Sequence, residues 1–485
     1  MVEVRLTPQR SRPRPAVTAP HVRALLDEAY RAARAAPRDP DLRVDLAEAL
    51  LSARQARRVS RHLRRALALA SREWGGLGRV GEVLFRLGEH KAAAQVFGRA
   101  HALGVLAARP HRTYAALLHE AGETRAAKRM LACSALLEPL RRPPAPDKDR
   151  PQVLRARCFD NSRYQVARSR RTGLWSRSLK SGHFSLSDLL RPGAVDLHVL
   201  TAWGDSLATL ERLPKVDVVL NTIACADLNG PQLKNLDAFL ARFPDLPVVN
   251  PPALVLGTTR RANSLRLPLI DGVRFPRTLA LEVAEDRTAT LRRIEGEGLG
   301  YPVILRVAGT QTGLTMEKLD DTAAVRAYLE ARRPGETLNA IEYIDLRDGD
   351  GHFRKTRCFF VDGRFFPVAS LTSDSWQIHS GDRYRVMDKD RAAQERERHY
   401  LTDPAGHLGA RAMAALHGIA DQLGLDFMGI DFHLDDDGGI TVFEANAAMR
   451  HNYDHVRAFP YTRPHLDRVT EAFEAMIRRR AGLFG

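Results

Sequence analysis

Apolar and polar positions divide this chain into two textures. Between residues 21 and 139, Ala, Leu and Arg dominate and apolar residues recur at helical spacing, which predicts helices and little else. A pattern repeats inside this stretch. Leu87-Gly88-Glu89-His90-Lys91-Ala92-Ala93 returns as Ala121-Gly122-Glu123-Thr124-Arg125-Ala126-Ala127, with the glycines 34 residues apart. A fainter copy without the glycine lies 34 residues earlier, around Arg54, Gln55 and Ala56. Trp74, Ala93, Phe97 and Ala100 fall where a helix-turn-helix repeat needs bulky and small packing residues, and Ala127, Leu131 and Pro139 echo them. Residues 140–147 read as a linker, because clustered prolines fix φ and remove donors that a helix or a central strand needs.

Beyond the linker the period changes. Residues 195–200, 216–221 and 247–250 are short β-branched runs separated by helical segments such as 230–242, an alternation that predicts a parallel α/β sheet. From about residue 257, strands at 303–307, 338–344, 357–361 and 365–370 mix with helices at 321–332 and 409–423, which reads as α+β.

Composition narrows the class. At 485 residues the chain holds about three domains, and its 44% apolar content suffices for full cores. No apolar run reaches the ~18 residues of a membrane-spanning helix. The first 20 residues are basic without an apolar stretch, and are expected to form a flexible arm, not a signal peptide. Cys133, Cys158, Cys225 and Cys358 are scattered with no CxxC pair, which argues against a disulfide framework or a zinc site and fits a reducing cytoplasm. The formal charge of +16 comes mainly from Arg. Its clusters, such as residues 54–58 and 478–480, are short and lack interleaved aromatics. The charge therefore reads as Arg-biased composition with solvated faces before it reads as a polyanion surface.

The chemistry concentrates near the C-terminus. Residues 429–452, GIDFHLDDDGGITVFEANAAMRHN, read as two short strands joined by an acidic, Gly-containing turn. Asp431 lies on the first strand; Glu444 and Asn446 lie on the second, on one face because side chains alternate. Three oxygen donors from two strands suit a hard cation such as Mg²⁺, which shares its shell with phosphate and water. Individually, the same residues also read as a strand-edge acid and turn caps. Upstream, a strand ending in Arg306 runs into Gly309-Thr310-Gln311-Thr312-Gly313, a loop able to hold phosphate or simply to turn a hairpin. Glu342, Tyr343 and Ile344 end a strand that could offer backbone groups to adenine. Lys355 and Arg357 share a strand face, which marks a solvated edge or an anion site. Trp376 reads as packing, and His433 as solvated near the acidic turn.

Taken in this order, the pieces resemble the ATP-grasp superfamily of carboxylate-amine ligases over residues 195–453. Asp431, followed thirteen residues later by Glu444 and two later by Asn446, with the Gly429-Ile430-Asp431 lead-in, is similar to that family's metal strands. The 34-residue pattern resembles the tetratricopeptide repeat. The chain looks most like the bacterial subgroup that fuses such repeats to an ATP-grasp module. There the basic strand also reads Arg-Lys-x-Arg, here residues 354–357, followed by Val361-Asp362-Gly363 and then by a Trp and a His, here Trp376 and His379.

The resemblance implies a multidomain fold: a basic arm (1–20), all-α tetratricopeptide-like repeats (21–140), a Pro-rich linker (141–152), an α/β pre-ATP-grasp domain (153–256) and an α+β ATP-grasp domain (257–485). It implies ATP and Mg²⁺, with Mn²⁺ as a substitute, as cofactors. Asp431, Glu444 and Asn446 would hold the metal. Arg306, with Arg260 or Arg261, would contact phosphate where the superfamily usually has lysines, alongside the loop of Gly309, Thr310 and Gly313, which would close over it. Glu342, Tyr343 and Ile344 would line the adenine pocket, and Lys355 and Arg357 would act on the phosphates or an acyl phosphate. The implied activity joins a small-molecule or peptide carboxylate to an amine, in the cytoplasm, with a peptide or protein partner on the repeats and neither nucleic acid nor membrane. A kinase on the same scaffold, or a non-catalytic nucleotide-binding scaffold, uses the same residues.

Overall fold

The computed structural model describes the chain except residues 1–19, 72–73, 161–162, 170–171, 181–182, 209, 310–312, 314 and 484–485. The expected basic arm thus lies outside the described residues, apart from Pro20. The chain forms two compact units, residues 1–139 with 159–181, and residues 140–158 with 182–485.

Among its described residues the first unit begins with seven helices: α1 (Pro20–Ala35), α2 (Pro40–Ser52), α3 (Ala56–Leu69), α4 (Leu77–Leu87), α5 (His90–Ala102), α6 (Ala108–Glu120) and α7 (Thr124–Leu137). The last six pair as hairpins, α2 with α3, α4 with α5 and α6 with α7. Their turns share one backbone solution. Arg54, Gly88 and Gly122, 34 residues apart, have φ of 57°, 91° and 80°. The following amides reach back to helix carbonyls, Gln55 to Leu50 at 2.8 Å, Glu89 to Leu84 at 3.0 Å and Glu123 to Leu118 at 2.8 Å. This left-handed stop satisfies carbonyls that a helix end leaves open. The faint first copy therefore shares the turn of the other two, with Arg54 taking the left-handed position at a cost of about 1–2 kcal/mol. Trp74, Ala93, Phe97, Ala100, Ala127 and Leu131 are buried in the helical core, and the Trp74 indole N–H donates to Asp41 (3.1 Å).

After α7 the chain contributes β1 (Leu140–Arg141) and β2 (Gln152–Cys158) to the second unit. It then returns to the first as a hairpin, β3 (Arg163–Arg168) and β4 (Trp175–Lys180), which the sequence pattern does not announce. Trp175 stands edge-on to His90, with ring centres 4.7 Å apart, and Arg177 donates to Thr113 at 2.8 Å.

Among its described residues the second unit holds three sheets. The first runs in the order β1-β5-β2-β6-β7, with β5 (Asp196–Ala202), β6 (Val218–Asn221) and β7 (Val248–Val249), parallel throughout except at β1. Helices α8 (Ala226–Leu240), α9 (Pro252–Leu256) and α10 (Arg260–Arg266) follow its strands. β2 lacks the continuous apolar run of a buried parallel strand, because Arg155 and Arg157 occupy alternate positions, each donating to a hydroxyl, Thr222 at 3.2 Å and Thr201 at 3.3 Å.

The remaining elements are β8 (Val273–Arg274), β9 (Thr278–Glu282), α11 (Arg287–Gly296), β10 (Val303–Val307), β11 (Glu317–Leu319), α12 (Thr322–Glu330), β12 (Thr337–Glu342), β13 (Phe353–Val361), β14 (Arg364–Ser373), α13 (Arg391–Thr402), α14 (Pro404–Leu423), β15 (Phe427–Leu434), β16 (Ile440–Asn446) and α15 (Arg463–Arg480). A small antiparallel sheet, β11-β10-β12-β9, buries its own core against α11 and α12. The third sheet, β14-β13-β15-β16-β8, shares a continuous core with the parallel sheet, where Phe184, Phe427 and Phe473 meet. Asn250, at the end of β7, fixes β15: its side chain donates to the Phe427 carbonyl (2.8 Å) and accepts from the Phe427 amide (2.9 Å). Among the described residues no helix is long and apolar enough to cross a membrane.

Candidate active site

The site forms on the face of the third sheet where β13, β15 and β16 lie side by side. Arg357 stands opposite Asp431, which stands opposite Glu444, and Gly429 opposite Asn446. The register slips just after Asp431, so Phe443 is the extra residue of a bulge beside Glu444. Bulges of this kind re-aim side chains and recur next to functional sites.

Asp431 is only 3% exposed. Arg357 holds both of its oxygens, Nε to Oδ1 at 2.6 Å and Nη2 to Oδ2 at 2.8 Å, in the fork geometry of the strongest charged hydrogen bonds. Lys355 Nζ lies 3.5 Å from Oδ2 and donates to the Ile378 carbonyl at 2.8 Å. Burial by itself would raise the Asp431 pKa. The Arg357 and Lys355 cations outweigh it and hold the carboxyl below its usual range, so Asp431 stays ionised at neutral pH. β13 is an interior strand, so the cation pair is no solvated edge. Its resident anion is Asp431.

Glu444 is more open, with its side chain 42% exposed. It accepts from Asn446 Nδ2 at 2.8 Å, while Asn446 Oδ1 accepts from the Ala448 amide at 2.8 Å. β16 pairs with β8 only at Ile440 and Thr441. Past that point α10 satisfies the strand edge: Arg260 donates to the Phe443 carbonyl (2.5 Å) and Asn263 to the Ala445 carbonyl (2.8 Å). The same Arg260 guanidinium lies 3.8 Å from Glu444, whereas Arg261 is exposed. Of the two adjacent arginines, Arg260 is the one the fold turns toward the acids.

Arg306 arrives from β10 of the small sheet. Burial depresses its pKa first, the like charge of Arg260 depresses it further, and Glu444, Cys225 and Asp227 oppose this. Two cations held close in a partly desolvated place are stabilised by an added anion. Asp227 is raised by burial and receives the Arg260 amide at 3.3 Å; burial also pushes the Cys225 thiol up to about 11.

The glycine loop is bracketed at both ends. A Cβ at Gly309 would stand 2.8 Å from Leu228, and one at Gly313 would stand 2.9 Å from the His379 ring. Gln377 donates to the Met316 carbonyl at 2.7 Å. Thr310 lies outside the described residues. At the end of β12, Glu342 accepts from the Arg277 amide at 3.1 Å, Ile344 is partly buried, and Tyr343 meets Trp376 edge-on with centres 6.0 Å apart. Lys318, on β11, lies over the Tyr343 ring at 4.5 Å. Lys318 belongs to no motif in the sequence, and the scarcity of Lys in this Arg-rich chain is the one signal that singles it out. His433, expected to be solvated near the acidic turn, is instead buried, at 6% exposure, between Asp348 and the Arg354 carbonyl.

The site thus gathers Arg260, Arg306, Lys355 and Arg357 around Asp431, Glu444 and Asn446, and leaves Arg261 apart. The three oxygen donors fit a hard divalent cation. A carboxylate offers about four lone-pair sites, of which Arg357 takes two on Asp431 and Lys355 approaches a third, and the Glu444 carboxylate is open to solvent.

No protein-family model and no curated protein matches the chain. Solved structures with partial similarity include an ATP-grasp protein described as a RimK domain protein from Sphaerobacter thermophilus (16% identity, 58% of this chain and 90% of that chain, TM-score 0.35). A D-alanine–D-alanine ligase from Bacillus anthracis aligns at 13% identity over 69% of this chain and 100% of its own, with a TM-score of 0.39. A carboxyaminoimidazole ribonucleotide synthase from Aspergillus clavatus, complexed with ATP, aligns at 14% identity over 56% of this chain and 64% of its own, with a TM-score of 0.33. At these scores the site residues, not the alignments, carry the functional reading.

Proposed function

We propose that this chain is an ATP-grasp-type, ATP- and Mg²⁺-dependent ligase that joins a carboxylate to an amine and releases ADP and phosphate. The observation that carries this reading is the row Arg357–Asp431–Glu444 across three neighbouring strands, faced by the cations Arg260 and Arg306. The tetratricopeptide-like hairpins of the first unit then hold a peptide or protein partner.

Mg²⁺, or Mn²⁺ in its place, held by Asp431, Glu444 and Asn446, supplies charge neutralisation at the phosphates when bound. The chain's own residues do the rest. Arg357 keeps Asp431 ionised and aimed. Arg260 and Arg306 offset phosphate charge, with Arg260 anchored by the Phe443 carbonyl. Tyr343 and Ile344, beside Lys318, receive the adenine ring. In the first step a substrate carboxylate oxygen attacks the γ-phosphorus, the bond to the β-phosphate oxygen breaks, and ADP leaves. Lys355 offsets charge on the resulting acyl phosphate. In the second step the amine nitrogen attacks the acyl carbon, inorganic phosphate departs, and the amine proton passes to solvent.

The test is ADP release from ATP and Mg²⁺ in the presence of pooled amino acids and short peptides, with hydroxylamine added to trap an acyl phosphate as a hydroxamate. Carboxylate-stimulated ADP release with hydroxamate formation is expected. A stable phosphorylated product would identify a kinase instead, and ATP binding without any turnover would leave only a scaffold.

A further inference from the structure

The helical unit carries a set of ligating atoms that the proposed reaction does not use. His101 sits in the last turn of α5, His111 on α6 and Cys133 on α7. One ring nitrogen from each histidine and the Cys133 sulfur all lie within 4.8 Å of one another. His101 Nδ1 is 3.1 Å from His111 Nε2, and the two rings meet edge-on, 87° apart. His111 is buried, at 4% exposure, and its Nδ1 lies 2.9 Å from the Ala107 carbonyl.

That last contact assigns the tautomer. A carbonyl oxygen only accepts, so Nδ1 of His111 carries the proton and Nε2 presents its lone pair toward His101. A carbonyl on the far nitrogen is also the outer contact that orients a metal-ligating histidine. We propose that His101, His111 and Cys133 form a zinc-binding site that ties α5, α6 and α7 together. Two imidazoles and a thiolate are the donors that favour Zn²⁺ over Mg²⁺ or Ca²⁺. Ligand atoms about 2.0–2.3 Å from a tetrahedral ion stand roughly 3.3–3.8 Å apart, close to the spacing these three atoms already have, 3.1 Å between the two ring nitrogens and within 4.8 Å for all three. Binding moves the His101 proton from Nδ1 to Nε2 and releases the Cys133 thiol proton to solvent. Three protein ligands leave a fourth position for water or an added group. Because α5 closes one hairpin and α6–α7 form the next, the ion clamps the junction between two repeats, and its binding energy becomes stability of the stack.

The experiment uses the full, reduced chain stripped of metal by a chelator, with Co²⁺ as the optical probe for Zn²⁺. One equivalent of Co²⁺ should give a thiolate-to-metal charge-transfer band and tetrahedral ligand-field bands, both abolished by Zn²⁺. Cys133→Ser should remove the charge-transfer band. His101→Ala, at a partly exposed position, should weaken Zn²⁺ binding at least about tenfold while leaving the metal-free circular dichroism unchanged. Zinc should raise the thermal midpoint of the wild-type chain and not of Cys133→Ser. Absence of the charge-transfer band, its survival in Cys133→Ser, or Zn²⁺ affinity indifferent to His101→Ala would each overturn the site.

Discussion

Arg357 grips both oxygens of Asp431 from the neighbouring strand, at 2.6 and 2.8 Å, in a place where the carboxylate is almost wholly removed from water. Breaking such a pair strands a buried charge. Arg357→Met is expected to destabilise the second unit by about 3–5 kcal/mol, toward the lower end because Lys355 remains 3.5 Å from the carboxylate. Arg357→Met combined with Asp431→Leu should recover most of the loss, since an apolar pair removes the desolvation cost. Urea unfolding of the single and double variants checks this. A loss well under 1 kcal/mol in the single variant would mean that the pair does not hold the strands.

Glu444 is nearly half open, accepts a hydrogen bond from Asn446 and lies 3.8 Å from the Arg260 guanidinium, too far for a hydrogen bond. Glu444→Gln should therefore change stability by no more than about 0.5 kcal/mol, yet lower the rate of ATP turnover at least about a hundredfold if the proposed reaction is correct. Steady-state ADP release, alongside thermal unfolding of the same sample, separates the two effects. Equal turnover by the variant and the wild type would remove Glu444 from the site.

Gly88 and Gly122 occupy the same turn in successive hairpins, but their surroundings differ. A Cβ at Gly88 would stand 2.5 Å from the Trp175 indole nitrogen, while nothing lies within 4 Å of one at Gly122. Gly122→Ala should cost about 1–2 kcal/mol for its left-handed backbone, and Gly88→Ala more, because Trp175 must also move. Thermal melts compare the two, and equal costs would mean that the β3–β4 hairpin contributes nothing to this turn.

Stability should also fall in mild acid. His451 is 1% exposed beneath Phe359, shares a hydrogen bond with Thr470, and has its pKa lowered to about 4, chiefly by burial. A lowered folded-state pKa means that the unfolded chain binds the proton more tightly. The contribution is complete above about pH 6.5 and is lost as pH falls toward about 4, amounting to roughly 3 kcal/mol in all. Asp431, also lowered, adds its loss only below the ordinary carboxylate range near pH 3.9. Urea midpoints between pH 7 and pH 4.5 should show this slope, and His451→Gln should make it shallower without abolishing it, because burial also lowers His183 to about 3 and His455 to about 4.

Much of the fold was readable because it is local. The helical period between residues 21 and 139, the 34-residue recurrence and the β15–β16 hairpin all follow from side-chain spacing along one segment. Among the elements that escaped are some whose pattern is overwritten. β2 carries arginines where a buried strand shows apolar residues, and their hydroxyl partners Thr222 and Thr201 are distant in sequence. The β3–β4 hairpin is recognised only by the side chains it meets, His90 and Thr113. The site was legible as residue types, and its internal pairing was not: Lys355 and Arg357 were read as meeting phosphate, and the structure sets them first against Asp431.

The sequence alone determined which residue types are available and which face of its own strand each occupies, because alternation on a strand and period on a helix are properties of neighbours in the chain. Only the tertiary structure decided which charges confront one another. Arg260 rather than Arg261 turns to Glu444, His433 is buried, and His101, His111 and Cys133 converge from three helices although their spacing spells no metal motif. Those outcomes depend on strand register and helix stacking, which are set by burying cores assembled from distant segments, and no short window of sequence encodes that balance.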